Sequence, residues 1–303
     1  MNARYVVFGE ALTDFLRQEG QLWQAVAGGS CWNVARAGAR LGVDTGFAGC
    51  VSSDHFGDDI ARLSAQAGLD LDYLQRADRA PLLAMVVSTR PPSYFFVGED
   101  SADLHFSVEA LPTGWLAAAD IIHFGSISLA REPLAGRLLA VAEQVKAAGK
   151  RIAFDPNWRN AMGPAYSVTL GRMARLADYI KVSDEDLLHL FPSLDEEMAL
   201  QQLRSWAPTA SILFTRGAAG LELLTPCARV RQQAFQVELA DTVGCGDASM
   251  AGWICSQLRA PDAAPAQHAA FAAACAAVAA SHHGAYAPTL AEVEAMLGAP
   301  TAL

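Results

Sequence analysis

Short apolar strands alternate with helical segments along much of this chain, and that rhythm constrains the fold more than any other feature. The strand-like runs cover residues 5–10, 121–126, 151–157, 179–183 and 211–217, and each ends in small or polar residues. Helical patterns lie between them over 133–149, 164–177 and 196–206. Such alternation points to βαβ units, hence a mostly parallel central sheet with helices on both faces, a three-layer α/β/α architecture. Ile121-Ile122-His123-Phe124 shows little polar alternation, as expected for a strand covered on both sides. Two stretches break the rhythm, 12–27 and 81–106. They carry period-two apolar patterns (Leu82, Ala84, Val86; Tyr94, Phe96) around turn clusters such as Arg90-Pro91-Pro92-Ser93. They are expected to form antiparallel β pieces of a small sheet beside the main body. No internal repeat or low-complexity linker divides the 303 residues, so a single domain over 1–303 is expected.

Composition narrows the function classes. Apolar residues make up 52% and charged residues 18%, which supplies a core and argues against disorder. Acidic residues number 32 and basic ones 22, a net charge of −10 that disfavours a general nucleic-acid or anionic-membrane binder. The longest apolar run, 269–280, is mostly alanine and falls short of the ~20 residues a bilayer span needs. The opening Met-Asn-Ala-Arg leads straight into Tyr5-Val6-Val7-Phe8, without the ordered regions of a signal peptide. Six cysteines (31, 50, 227, 245, 255, 275) form no C-x-x-C pair and no metal-ligand spacing. A reducing, cytoplasmic setting without nucleic-acid or membrane partners is expected.

The strongest local signal is Asp241-Thr-Val-Gly244-Cys245-Gly246-Asp247, which opens an apolar helix. A helix start carries unpaired N–H groups and the positive end of the macrodipole, and glycines let an anion approach that backbone. Asp247 would sit in the first turn beside the anion, placed to take a proton. The plain alternative is a glycine turn with an acidic cap. A second signal is Gly28-Gly29-Ser30-Cys31-Trp32-Asn33, where glycines permit close approach and Asn33 offers a donor and an acceptor. An ordinary turn before a helix would look the same. A third, Asp155-Pro156-Asn157-Trp158-Arg159, follows a strand, and ligands of open α/β sheets gather at strand carboxyl ends. The fourth is Ser183-Asp184-Glu185-Asp186. It resembles a capping box, yet carboxylates there also suit Mg²⁺ held through water. There is no G-x-x-x-x-G-K-[ST], no complete G-x-G-x-x-G and no H-E-x-x-H.

The order of these motifs resembles that of the ribokinase/PfkB carbohydrate kinase family. Gly28-Gly29-x-x-x-Asn33, Asp155-x-Asn157-x-Arg159 and Asp241-Thr-x-Gly-x-Gly-Asp247 carry the resemblance. Gly9-Glu10-Ala-Leu-Thr-Asp14, Thr215-Arg-Gly217-Ala-Ala-Gly220 and Gly284-Ala285 extend it from about residue 5 to 297. It implies a ribokinase-like fold with a small β lid, and ATP-dependent phosphorylation of the primary hydroxyl of a small sugar. By the same resemblance Asp247 is the general base, and the amides of Gly244, Cys245 and Gly246 are its anion hole, assisted by Arg159. Asp14, Gly28, Gly29, Asn33 and Phe96 would hold the sugar. Ser183, Thr215, Gly217 and Gly220, with Gly244 and Gly246, would hold ATP. Mg²⁺ would be organised through water by Asp186, and a monovalent cation such as K⁺ would sit at Asp241. A homodimer through the lid is also implied.

Lys181-Val-Ser-Asp-Glu and Phe-Asp-Pro-Asn-x-Arg look most like the fructokinase branch, so fructose is the expected acceptor. Three positions depart from the pattern. Cys245 replaces an alanine, Ser183-x-x-Asp186 stands where many relatives have Asn-x-x-Glu, and Gly98 stands where many fructokinases have arginine. The alternatives are a 2-keto-3-deoxygluconate or nucleoside kinase of the same family, or a sugar- or nucleotide-sensing protein that kept the fold. An acidic sugar would favour extra arginine or lysine in the lid, and 81–106 offers only Arg90.

Overall fold

The structure, a computed structural model, describes residues 3–89 and 92–298. Arg90 and Pro91 of the expected turn lie outside the described residues. The chain opens with β1 (Tyr5–Phe8), then leaves the main body for β2 (Leu12–Arg17) and β3 (Trp23–Gly28). Helix α1 (Ser30–Arg40) returns it to β4 (Thr45–Ser52), and α2 (His55–Ala67) leads to β5 (Leu74–Ala77). The pair β6 (Leu83–Thr89) and β7 (Pro92–Val97) precedes a one-turn helix, α3 (Trp115–Ala118). Strands and helices then alternate through β8 (Ile121–Gly125), α4 (Leu134–Ala147), β9 (Arg151–Asp155), α5 (Tyr166–Leu176) and β10 (Tyr179–Ser183). Next come α6 (Asp184–Leu190), α7 (Glu196–Trp206) and β11 (Ser211–Thr215). A hairpin of β12 (Leu221–Leu224) and β13 (Arg229–Gln232) leads to α8 (Cys245–Arg259), α9 (Pro265–Ala280) and α10 (Leu290–Gly298).

Nine strands form one sheet in the order β13-β12-β11-β10-β9-β8-β1-β4-β5, parallel except for the β12–β13 edge. Both faces are covered, so the central strands are buried throughout. Tyr5 and Val7 of β1 point into a core shared with α1, α8 and α9, whereas Val6 and Phe8 point into one shared with α4, α5 and α7. The alanines of 262–280 do more than favour a helix. A Cβ on Gly252 of α8 would lie 2.5 Å from Cys275 Sγ of α9, so these two helices approach closely and α9 buries its alanines there.

Three features depart from the expectation. Strand β4 lies inside the sheet, between β1 and the edge strand β5, although Thr-Gly-Phe-Ala-Gly-Cys-Val-Ser has weak strand character. Its glycines make room for aromatic rings: a Cβ on Gly46 would be 2.6 Å from the Tyr73 ring. The smaller sheet, ordered β3-β2-β6-β7, is mixed rather than antiparallel, because β2 and β6 run parallel where the two hairpins meet. Its strands also stop at Val97 instead of 106. Residues 98–106 fold back onto the body, where Ala102, Leu104 and Phe106 are buried in 3₁₀ geometry that mimics a strand's alternation. Two arginines of the body hold this segment: Arg131 donates to Gly98 O, and Arg137 to Phe106 O and Leu104 O. Among the described residues no helix is long and apolar enough to cross a membrane.

Candidate active site

The carboxyl ends of β1, β8, β9, β10 and β11 open on one edge of the sheet, and the start of α8 closes over them. Gly244 caps α8 with φ +77°, a left-handed conformation that favours glycine, and a Cβ there would lie 2.8 Å from Ala285 Cα. No side chain caps this helix, so its first-turn amides are available to a ligand, although that of Cys245 also leans 3.3 Å towards Thr242 O. Asp247 lies in that turn and is 9% exposed. Ser30 Oγ donates to its Oδ1 at 2.7 Å and Asn33 Nδ2 to its Oδ2 at 2.9 Å, both from α1. Burial raises the Asp247 pKa, while those two hydrogen bonds and the charges of Lys181 and Arg159 pull it back part of the way. Cys245 exposes part of its side chain beside the amides, and burial pushes its thiol up to about 11.

Asn33, expected on the sugar, is thus tied to Asp247 through its amide nitrogen. Its Oδ1 is buried without a hydrogen-bond partner, so one acceptor remains for a ligand. Asp14 stands in the lid, where register places it in one row with Ala84 and Phe96 and therefore on one face. Gly28 exists for this carboxylate: a Cβ there would be 2.3 Å from Asp14 Oδ2. Gly29, at φ +111°, lets the start of α1 pass over Glu10 O, 2.8 Å from where a Cβ would be. Burial pushes the Asp14 pKa up to about 6, with Arg159 lowering it and Asp247 raising it. The lid position at Gly98 has no room for a side chain without rearrangement, since a Cβ would meet Leu82 Cδ1 at 2.6 Å and Ser101 Oγ at 2.7 Å.

Behind the first turn of α8 lies an ion pair that the sequence reading left without a role. Lys181 Nζ of β10 sits 3.0 Å from Asp155 Oδ2 of β9, with side chains 4% and 1% exposed. A lysine inside the apolar run Tyr-Ile-Lys-Val was the available signal. Past β9, Asn157 adopts φ +41°, and Arg159 Nη1 donates to Asn157 Oδ1 at 2.7 Å and Trp158 O at 2.7 Å. Its Nε and Nη2 have no partner among the described residues. Ser183 Oγ caps α6 by accepting from Asp186 N at 3.0 Å, but the capping box is not reciprocal. The Asp186 carboxylate instead accepts from Trp158 N at 3.1 Å, joining the ends of β9 and β10.

On the far side, Thr215 pairs in register with Ser183. Gly217 (φ +49°) faces open space, whereas a Cβ on Gly220 (φ +90°) would be 2.2 Å from Gln232 O, so Gly220 serves the backbone. Asp241 Oδ1 accepts from Thr242 N at 2.7 Å and Val243 N at 3.1 Å, and its Oδ2 from Gly284 N at 3.0 Å. Those amides outweigh burial and lower its pKa. With three of its roughly four acceptor positions occupied, Asp241 is a turn staple, and a cation beside it would need backbone carbonyls for most of its ligands. No group of three or more metal-ligating side chains exists among the described residues. A single carboxylate at Asp186, with one oxygen free, fits Mg²⁺ held mainly by phosphates and water.

Residues 2–292 match the family model described as pfkB family carbohydrate kinase. The chain is 35% identical over 260 residues to a fructokinase of Klebsiella pneumoniae, 83% of each chain being covered. Its fold is similar to the crystal structure of a fructokinase with bound ATP from Xylella fastidiosa (TM-score 0.88, 30% identity, 97% of this chain and 98% of that one). It is also similar to a fructokinase from Vibrio cholerae O395 in a fructose-, ADP- and calcium-bound form (TM-score 0.86, 28% identity, 97% and 99% covered).

Proposed function

We propose that this chain, which belongs to the pfkB family of carbohydrate kinases, transfers the γ-phosphoryl group of ATP to a primary hydroxyl of fructose. The observation that carries the reading is the buried Asp247 carboxylate in the uncapped first turn of α8, held by Ser30 and Asn33. A binding protein has no need of a buried base beside an anion site. The sugar lies under the lid against Asp14, Phe96, Gly28, Gly29 and the free Oδ1 of Asn33. Asp247 takes the hydroxyl proton as that oxygen attacks phosphorus. The amides of Gly244, Cys245 and Gly246 and the free edge of Arg159 receive the charge that develops, since phosphoryl transfer is mostly positioning and electrostatics. ATP runs from there past Ser183 and Thr215 to Gly217, the open side of the site. Asp186 would hold Mg²⁺ through water, and the ion would supply positive charge to the phosphates. The lid covers the sugar and excludes water as a competing acceptor.

A neutral ketohexose suits this site better than an acidic sugar. A carboxylate buried without a partner costs several kcal/mol, and the lid presents no cation at Gly98. Arg159 is the cation whose charge acts on Asp14, and it is assigned to phosphate. At equal Mg-ATP, kcat/KM for fructose is expected to exceed that for 2-keto-3-deoxygluconate by at least ~10-fold, a difference of about 1.4 kcal/mol. A larger value for the keto-acid would transfer the assignment to that acceptor.

The opposite face of the lid exposes Phe95 and Val97, 55% and 47% accessible, in neighbouring outward positions of β7. A second copy seated on that face would give the homodimer through the lid. Sedimentation is expected to show a dimer that Phe95→Glu dissociates, and a monomer in the unmodified protein would dismiss it.

A further inference from the structure

The chain has three lysines, 146, 150 and 181, and Lys181 is the one buried in the sheet. Burying an ammonium and a carboxylate together seldom stabilises a fold beyond what an apolar pair of similar volume would provide. The Lys181–Asp155 pair therefore calls for a reason other than stability. Its position is also unfavourable for a cation. A Cβ on Gly246 would lie 3.0 Å from Lys181 Nζ, so the ammonium packs against the first turn of α8, at the positive end of the helix dipole. What offsets this is negative charge in the same turn, and Asp247 supplies it.

We propose that Lys181, braced by Asp155, is a positioning residue that keeps Asp247 in its charged, proton-accepting form. The inference rests on the reading of Asp247 as the base. The groups facing Asp247 come from every element around it. They are Arg36 and Cys31 of α1, Asp14 of the lid, Asp155 and Arg159 of β9 and its following loop, and Cys245 of α8 itself. Against burial, which favours the protonated acid, Lys181 and Arg159 are the cations that act most on it. Burial works against the charged form of Lys181, and Asp155, then Asp186, more than offset it.

The test compares kcat against pH for wild type, Lys181→Met, Asp155→Asn and the double variant, each as a ratio to wild type so that ionisation of Mg-ATP cancels. Lys181→Met is expected to move the acid limb up by about one pH unit, with turnover recovering at alkaline pH and the sugar KM little changed. Asp155→Asn, which leaves the ammonium unneutralised, is expected to move it down, with the double variant raised but less than Lys181→Met. Opposite shifts from two variants that break the same ion pair are not produced by a structural role. Shifts in the same direction, or a loss constant with pH, would overturn the inference. Where a single variant fails to fold, the neutral double variant decides alone, and an unmoved limb in it is equally fatal. Failure of the base reading is separate: Asp247→Asn would then retain turnover whatever these profiles show.

Discussion

Replacing Asp247 by asparagine is expected to lower kcat by ~10²–10⁴-fold, the range for a removed general base, with both KM values within a few-fold of wild type. The substitution is nearly isosteric and its surroundings can absorb it. The asparagine oxygen can still accept from Asn33 Nδ2, while its amide donates to Ser30 Oγ, because a hydroxyl rotates to donate or accept. The helix start, its glycines and the ATP side are untouched, so binding survives and the proton acceptor is lost. A coupled assay of ADP release on the folded variant gives the result directly. Turnover near the wild-type value would remove Asp247 from its role.

The second large effect is expected at Asp14. Asp14→Asn should reduce kcat/KM for fructose by ~10–100-fold, since a hydrogen bond to a charged group is worth ~1.5–3 kcal/mol, and leave the KM for ATP close to unchanged. In the unmodified enzyme, kcat/KM for the sugar should fall as pH drops through about 6, where this carboxylate takes up a proton. Stability should change in the opposite sense to activity. The folded-state pKa lies above the ordinary carboxylate value, so the stability this group contributes is present below pH ~3.9 and is lost as pH rises through the folded value. The variant should therefore melt above wild type at pH 7–8, and the difference should vanish near pH 4. Thermal melts at the two pH values and separate titrations of both substrates check this. A selective loss of ATP binding would show the two pockets reversed, and a lower melting temperature at pH 7 would contradict the electrostatic account.

The alternation of strands and helices was legible because it rests on local signals, namely apolar periodicity and the residues that end each element. The start of α8 was legible for the same reason: two glycines and an acid at a helix start express unpaired amides and a left-handed cap within a few residues. By itself the sequence determined the layered α/β class, the second sheet, Asp247 in a first turn and the family resemblance. It also led to Asn33 as a sugar ligand, whereas the fold ties its amide to a carboxylate 214 positions away and leaves only Oδ1 for a ligand. Gly98, read as a missing arginine, turned out to be packed against Leu82 and Ser101. The parallel pairing of β2 with β6 and the place of β4 between β1 and β5 depend on which strands meet, which no local pattern records. Only the tertiary structure decided that Ser30 and Asn33 hold the base and that Lys181 and Asp155 lie behind it. The strength of such contacts comes from burial and charge at a few ångströms, and those distances exist only once distant segments have packed.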